Sequence, residues 1–229
     1  MFLQGYLPSI LEGAVLTLEV AGLSLLVSVV LGFIGAMCKL SPSKPLVWLA
    51  ELYSTVIRGV PDLVWMFMLF FGGQMAINEL ATRLGADAPE INPFIAGVLT
   101  IGFIFGAYMT ETFRGAIMAV PKGQMEAGLA YGMSPLRVFF RITLPQMVRF
   151  ALPSFSNNWL VLVKSTALVS VIGLNDMMYK ADTAKSVTQE PFTVYMLVGG
   201  LYLAITTVSI LALTWLENRY SMGVKESGL

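Results

Sequence analysis

Histidine is absent from all 229 residues, and cysteine occurs once, as Cys38. The first absence removes the commonest general base and metal ligand, and with them Ser-His-Asp and Cys-His chemistry. The second excludes an internal disulfide and a cysteine-rich metal site, leaving Cys38 as a small buried apolar residue. No catalytic residue and no metal ligand is therefore assigned. A G-x-x-x-x-G-K-[ST] stretch is also missing, so the chain has no phosphate-cradling loop and no cofactor of its own. Charge is scarce and balanced: 12% of residues are charged, with 14 Lys+Arg against 14 Asp+Glu. Soluble domains carry about 25% charged residues. The balance itself says nothing about nucleic acid or acidic partners, and no nucleic acid is expected as a partner.

What is abundant is apolar surface. Hydrophobic residues make up 56% of the chain and the mean hydropathy is +0.75, which indicates an all-α integral membrane protein. The N-terminus MFLQGYLPSILEGA lacks a basic leading region and a small-residue cleavage site, so the first apolar segment is expected to be retained. About 20 apolar helical residues cross a bilayer. Five segments meet or approach that test: residues 20–38, 63–78, 91–110, 150–175 and 192–216. Ser9-Ile10-Leu11-Glu12 reads as a capping box that starts the first helix earlier. The second is short and should begin further back, near Trp48; the fourth is interrupted only by Lys164.

Basic residues fix the direction. Lys39, Lys44, Arg114, Lys122, Arg137, Arg141, Arg149, Arg219 and Lys225 fall on one side, against Arg83, Lys180 and Lys185 on the other. The positive-inside rule places the N-terminus outside and the C-terminus in the cytoplasm. No repeat, low-complexity tract or soluble domain interrupts residues 1–229, which read as one transmembrane domain.

The longest polar segment, about residues 121–145, contains EAGLAYGMSPLRVFFRITLP, from Glu126 to Pro145. Pro121-Lys122-Gly123 breaks the third helix. Residues 124–131 can form a short helix with Glu126 in its first turn, suited to the helix dipole. Gly132 is a stop. Ser134-Pro135 reads as an N-cap followed by proline at the first helical position. A second helix then carries Arg137 and Arg141 on one face, and Pro145 ends it. Such an elbow is built to press into another protein, or else it is an amphipathic connector lying on the lipid interface.

Glu126-Ala127-Gly128, Gly132 and Leu144-Pro145 resemble the EAA loop of ABC importer permeases. The likeness spans twenty positions and continues through nearly the whole chain. Ile57-Arg58-Gly59-Val60-Pro61, Thr110-Glu111-Thr112-Phe113-Arg114-Gly115, Asn157-Asn158 and Lys164-Ser165-Thr166-Ala167-Leu168 are similar to segments of polar-amino-acid permeases. So is the ending Arg219-Tyr220-Ser221-Met222-Gly223-Val224-Lys225. Within that family the likeness is to the branch importing histidine, lysine, arginine and ornithine.

The resemblance implies a type I ABC importer permease fold in the bacterial inner membrane, with a periplasmic N-terminus. It implies that Glu126, Ala127, Gly132, Ser134 and Pro135 form an ATPase-coupling loop. It also implies a heterodimer with a homologous permease, a cytoplasmic ATPase dimer that binds ATP and Mg, and a periplasmic substrate-binding protein delivering an amino acid. Gly128 departs from the family, which usually has a second alanine there; glycine should loosen the helix by roughly 1 kcal/mol.

Charges inside a membrane cost about 2.5–3.5 kcal/mol at mid-span and need a reason. Glu12 and Glu19 share a face of the first helix. Glu19, Asn158, Lys164, Ser165 and Thr166 are candidates for a substrate path, with Glu19 pairing Lys164 or a substrate ammonium. Equally, Glu19 can be buried against a partner helix, Lys164 can make a structural ion pair or a hydrogen bond to a carbonyl, and the neutral residues can serve as interhelical glue. Asp62 reads as a helix cap, Glu111 and Arg114 as an i, i+3 pair, and residues 65–71 as packing or lipid-facing surface. A channel or secondary transporter would leave the elbow without a purpose, and an enzyme lacks its nucleophile–base pair. Reporter fusions test the topology: a fusion after Asn218 reads as cytoplasmic, and a periplasmic reading there overturns the five-span arrangement.

Overall fold

The computed structural model describes residues 3–221; Met222, Gly223, Val224 and Lys225 of the terminal motif lie outside the described residues. Every regular element among the described residues is helical. Five helices are long and apolar enough to cross a membrane: Gly5–Lys39, Asp62–Leu84, Pro93–Ala119, Pro135–Ile172 and Pro191–Tyr220, here spans one to five. Each apolar segment read from the sequence falls in one of them, but the boundaries differ in instructive ways.

Span one belongs to a helix already formed at Leu3, so Ser9 lies inside it and the capping box is not made. Pro8, also inside, gives up only one hydrogen bond near the helix start. The second segment is split. A separate helix, Lys44–Gly59, ends where Val60 turns extended (φ −116°, ψ 138°) before Pro61, and span two starts at Asp62. Proline disfavours the helical conformation of the residue before it, which explains the break. Pro145 does not end the elbow. The helix runs on from Pro135 through a π-helical turn, Phe139–Thr143, into Leu144–Ser165 and a final 3-10 stretch, Thr166–Ile172. Pro145 offers no donor to the carbonyl of Arg141, four residues earlier, and the widened π turn lies over that position.

Span three is the centre of the bundle. Span one lies parallel to it: Ser24 Oγ donates to the Val98 carbonyl (3.2 Å), Gly102 faces Val27, and Gly106 faces Leu31. A β-carbon would come within 2.6 Å of Val27 at Gly102 and 2.7 Å of the Tyr53 hydroxyl at Gly106. Small residues four apart let membrane helices approach this closely. Span four runs antiparallel on the other side, with Asn158 beside Thr112 and Val169 against Gly97. Val20, Ala21, Ile101, Ile104, Leu162 and Val163 fill the space between. Tyr53 ties the Lys44–Gly59 helix to span three by donating to the Phe103 carbonyl (2.6 Å).

A buried charge closes one end. The side chain of Lys39, last residue of the first helix, is 2% exposed; its Nζ lies 2.9 Å from Glu51 and also bonds Glu111. Arg114 adds the i, i+3 pair to Glu111 read from the sequence (2.9 Å). Three elements thus meet on one ammonium that the sequence reading used only to set the direction of insertion.

At the opposite end, Asp176 caps the helix Met177–Thr188. Its Oδ1 accepts the Tyr179 N–H (3.0 Å), and Thr17 Oγ1 accepts the Met177 N–H (3.2 Å). Asp176 is fully buried and its Oδ2 has no hydrogen-bond partner. Burial pushes its carboxyl up to about 6, against the opposing pull of backbone N–H groups.

Two stability predictions come from these ends. Lys39→Met leaves Glu51 without a cation and Glu111 with Arg114 alone, and costs about 1–3 kcal/mol, less than a fully buried pair because both carboxylates are part-exposed; a lowered Tm in detergent reads it. Asp176 binds its proton more tightly folded than unfolded, so its stabilising protonation is lost as pH rises through about 6. The Tm of wild type therefore falls between about pH 4 and pH 6.5 relative to Asp176→Asn; parallel pH profiles would refute this.

Candidate functional site

Two regions gather the residues singled out in the sequence. The first is the elbow. Its leading helix is Lys122–Ala130, with Pro121 preceding it, against residues 124–131 read from the sequence. Glu126 is its fifth residue, not in its first turn, so the favourable dipole position anticipated for it is not used. Its side chain is exposed, as is that of Ala127. Gly132 has φ +77°, the left-handed stop that glycine permits. The Met133 N–H bonds the Gly128 carbonyl (3.1 Å) and the Gly132 N–H the Leu129 carbonyl (2.9 Å). Ser134 caps the second helix by accepting the Arg137 N–H (3.4 Å), and Pro135 takes the first helical position.

The turn exposes Tyr131 (90%), Leu136 and Phe140 beside Leu129. Large apolar side chains carried on a polar elbow form a surface suited to another protein. Gly128 is not slack, as its residue type suggested; it is the buried residue of its helix. Arg137 and Arg141 are both exposed, but the π turn falls between them, so the regular i, i+4 face is lost.

The second region is the open face of span four. Spans one and five show apolar side chains outward, such as Leu26, Val30, Ile34, Leu203, Val208 and Leu211. Span four exposes Ser154, Asn157 and Lys164, spaced three and seven residues apart on a face that also carries Val161, and it turns Phe150 and Val171 outward as well. A cavity of about 380 Å³ opens beside them, lined by Arg58, Tyr108, Glu111, Thr112, Ser154 and Asn158 among others. Arg58 stacks over the Tyr108 ring (5.3 Å). Asn158 Nδ2 donates to Thr112 Oγ1 (3.0 Å), fixing its amide at the cavity wall.

Asp62 makes no side-chain cap. Its carboxylate accepts a bond from Ser165 Oγ (3.4 Å), joining the start of span two to span four. Sequence reasoning gave this carboxylate a local capping role, because its partner lies 103 residues away. Thr166 is fully buried and donates to the Val163 carbonyl (2.7 Å), so it braces the helix and does not reach the open face. Lys164 and Glu19 are exposed, and their side chains make no hydrogen bond or ion pair with described residues. They also lie at different levels. Ser24 is level with Val98, and Glu19 is five residues, about 7.5 Å, further toward the Pro93 end of span three. Lys164, by contrast, adjoins the Ser165–Asp62 contact. Met66 is fully buried while Met68 and Phe71 are exposed, so residues 65–71 divide between core and outer surface.

A family model described as "Binding-protein-dependent transport system inner membrane component" matches residues 28–222. The chain is 49% identical to the histidine/lysine/arginine/ornithine transport system permease protein HisQ of Escherichia coli (strain K12), over 99% of this chain and 100% of that one. It is 38% identical to the octopine transport system permease protein OccQ of Rhizobium radiobacter, over 97% and 94%. A crystal structure of an amino acid ABC transporter with histidines is similar at 32% identity and a TM-score of 0.81, covering 96% of this chain and 98% of that one. A chain with this helical bundle, elbow and full-length likeness belongs to the binding-protein-dependent transport system inner membrane components, as a multi-pass ABC importer permease subunit.

Proposed function

We propose that this chain is one of two permease subunits of an ATP-driven importer of histidine and the basic amino acids lysine, arginine and ornithine. The full-length 49% identity to HisQ carries the substrate class. In this reading the N-terminus is periplasmic and the elbow cytoplasmic, as the bias of basic residues indicates. A cytoplasmic ATPase dimer binds ATP and Mg and docks on the elbow through Glu126, with the exposed Tyr131, Leu136 and Phe140 beside it. Ser134, Pro135 and Gly132 hold the elbow's shape. A periplasmic binding protein delivers the amino acid to the other end.

The observation that carries the path is the outward polar face of span four. Asparagine, serine and lysine cannot be left against hydrocarbon at acceptable cost, so this face meets water and a homologous second permease. Five helices then become ten around a polar seam. Asn158 and Ser165 present neutral hydrogen-bonding groups along it. Asp62 supplies a carboxylate held by a neutral hydroxyl and not by a cation, which suits the passage of a cationic side chain. Glu19 stands nearer the outer mouth. Lys164 repels free cations from the seam until an anionic group, such as the substrate carboxylate, approaches it.

Reconstitution with the second permease, ATPase and binding protein tests the reading through uptake of labelled arginine, histidine and glutamine. Arginine and histidine are taken up and glutamine much less; uptake of glutamine without any basic amino acid overturns the substrate class. Glu126→Lys weakens ATPase association by about 2–5 kcal/mol, as for reversing one partner of an interfacial pair, and abolishes uptake. Normal uptake with the ATPase still bound would remove the elbow from coupling. Glu19→Gln and Asp62→Asn lower uptake of basic amino acids relative to glutamine, and unchanged selectivity in both excludes these carboxylates from the path.

A further inference from the structure

Among the described residues, two buried side-chain polar atoms make no hydrogen bond: Asp176 Oδ2 and the Tyr202 hydroxyl. Buried polar atoms are nearly always bonded, to protein or to ordered water. These two are neighbours. The Tyr202 hydroxyl feels the Asp176 charge and is turned toward Thr166. Both Asp176 and Thr166 are 0% exposed. Tyr202 packs on two apolar clusters, one with Val169, Ile172 and Leu174, the other with Met177, Ala181 and Ala184. On span one, a β-carbon at Gly13 would come within 2.8 Å of the Asp176 carbonyl oxygen. The polar atoms are therefore sealed from solvent on several sides.

The donors and acceptors can be counted. Thr17 Oγ1 is committed, donating to the Gly13 carbonyl (2.9 Å) and accepting the Met177 N–H (3.2 Å). Asp176 Oδ1 takes the Tyr179 N–H (3.0 Å). Thr166 Oγ1 donates to the Val163 carbonyl (2.7 Å), which leaves acceptor capacity on its oxygen. One donor remains, the Tyr202 O–H, with two acceptors, Asp176 Oδ2 and Thr166 Oγ1. A water molecule that accepts one bond and donates two matches that set, and buried waters typically make about three bonds. A cation would leave the Tyr202 O–H without an acceptor. It would also stand at the N-terminus of helix Met177–Thr188, where the helix dipole is positive.

We propose that Asp176, Tyr202 and Thr166 bind one internal water molecule, which joins the start of helix Met177–Thr188 to spans four and five. The Met177 N–H ties the same helix start to span one through Thr17. Direct and water-mediated bonds together then hold the outer parts of three spans at one point. Around Asp176, span one presents Gly13 and Thr17, span four Thr166 and span five Tyr202, and the charged group acting on it is Asp182 of its own helix.

The experiment uses the full transport complex in lipid nanodiscs. Infrared titration follows the protonated-carboxyl band that Asp176→Asn removes. A water donating to Oδ2 favours the ionised carboxylate, so Tyr202→Phe, which keeps the ring but loses the water's anchor, raises the midpoint by about half a pH unit or more. Thr166→Val raises it in the same direction. A purely structural role for either side chain would not move this midpoint, and an unchanged midpoint in both variants overturns the proposal. Replacing sodium and potassium by choline leaves the wild-type midpoint in place; a shift there means a bound cation and overturns it. If one variant fails to assemble, the other decides. A wild-type map that resolves ordered water shows density within hydrogen-bond distance of all three oxygens, and a direct Tyr202–Asp176 bond in its place overturns the assignment.

Discussion

Gly102 and Gly106 remove two side chains from the face of span three, and span one lies in the space they leave. In lipid, apolar helices gain nothing by hiding from water, so association depends on close van der Waals packing and on interhelical hydrogen bonds. This contact has both, with Ser24 bonding the Val98 carbonyl beside the glycines. Tyr53 reaches the same face of span three, and span four covers its other side. Lys39 sits at the end of the pair and draws Glu51 and Glu111 onto one buried ammonium. Lengthening either glycine would part span one from span three, and would move Lys39 relative to both its carboxylates.

The outward faces map the surroundings of the bundle. Spans one and five turn mainly leucine, valine and isoleucine outward, which matches hydrocarbon, although span one also exposes Glu12 and Glu19 in its first half. Span four turns serine, asparagine and lysine outward, next to a cavity holding Arg58 and Glu111. One face thus accepts lipid and the other requires polar company, so the subunit is asymmetric in a way that suits pairing around a path. The same helix begins at the elbow, as one continuous run from Pro135. The end of the elbow and the polar outward residues are therefore carried on a single element.

Residue types and their spacing were enough to read the five crossings, because each must bury about 20 apolar residues whatever packs beside it. They were enough for the elbow too: a left-handed glycine at Gly132, a serine cap at Ser134 and a proline at the first helical position are local requirements. Identity to HisQ over the whole chain agrees with the motif reading of Glu126 to Pro145. Local rules misplaced the helix limits wherever the neighbourhood overrode them. The capping box at Ser9 was superseded by a helix already running from Leu3, and the stop at Pro145 by a π turn that carries the helix past it.

Only the tertiary structure decided which polar residues meet. Asp62 finds Ser165, Lys39 finds Glu51 and Glu111, and Asn158 finds Thr112, all across separations in sequence that no periodicity encodes. Thr166 and Lys164 are two residues apart, yet one is fully buried and the other exposed, because helix rotation against span three sets their facing. Gly128 illustrates the division most directly. Its sequence context marks a weak position in a helix, whereas the structure buries it against Val138 and Ile142. Composition and spacing determine which segments enter the membrane, since that is a property of each segment alone. Pairing, depth and facing depend on several segments at once, so they are settled only when the helices pack.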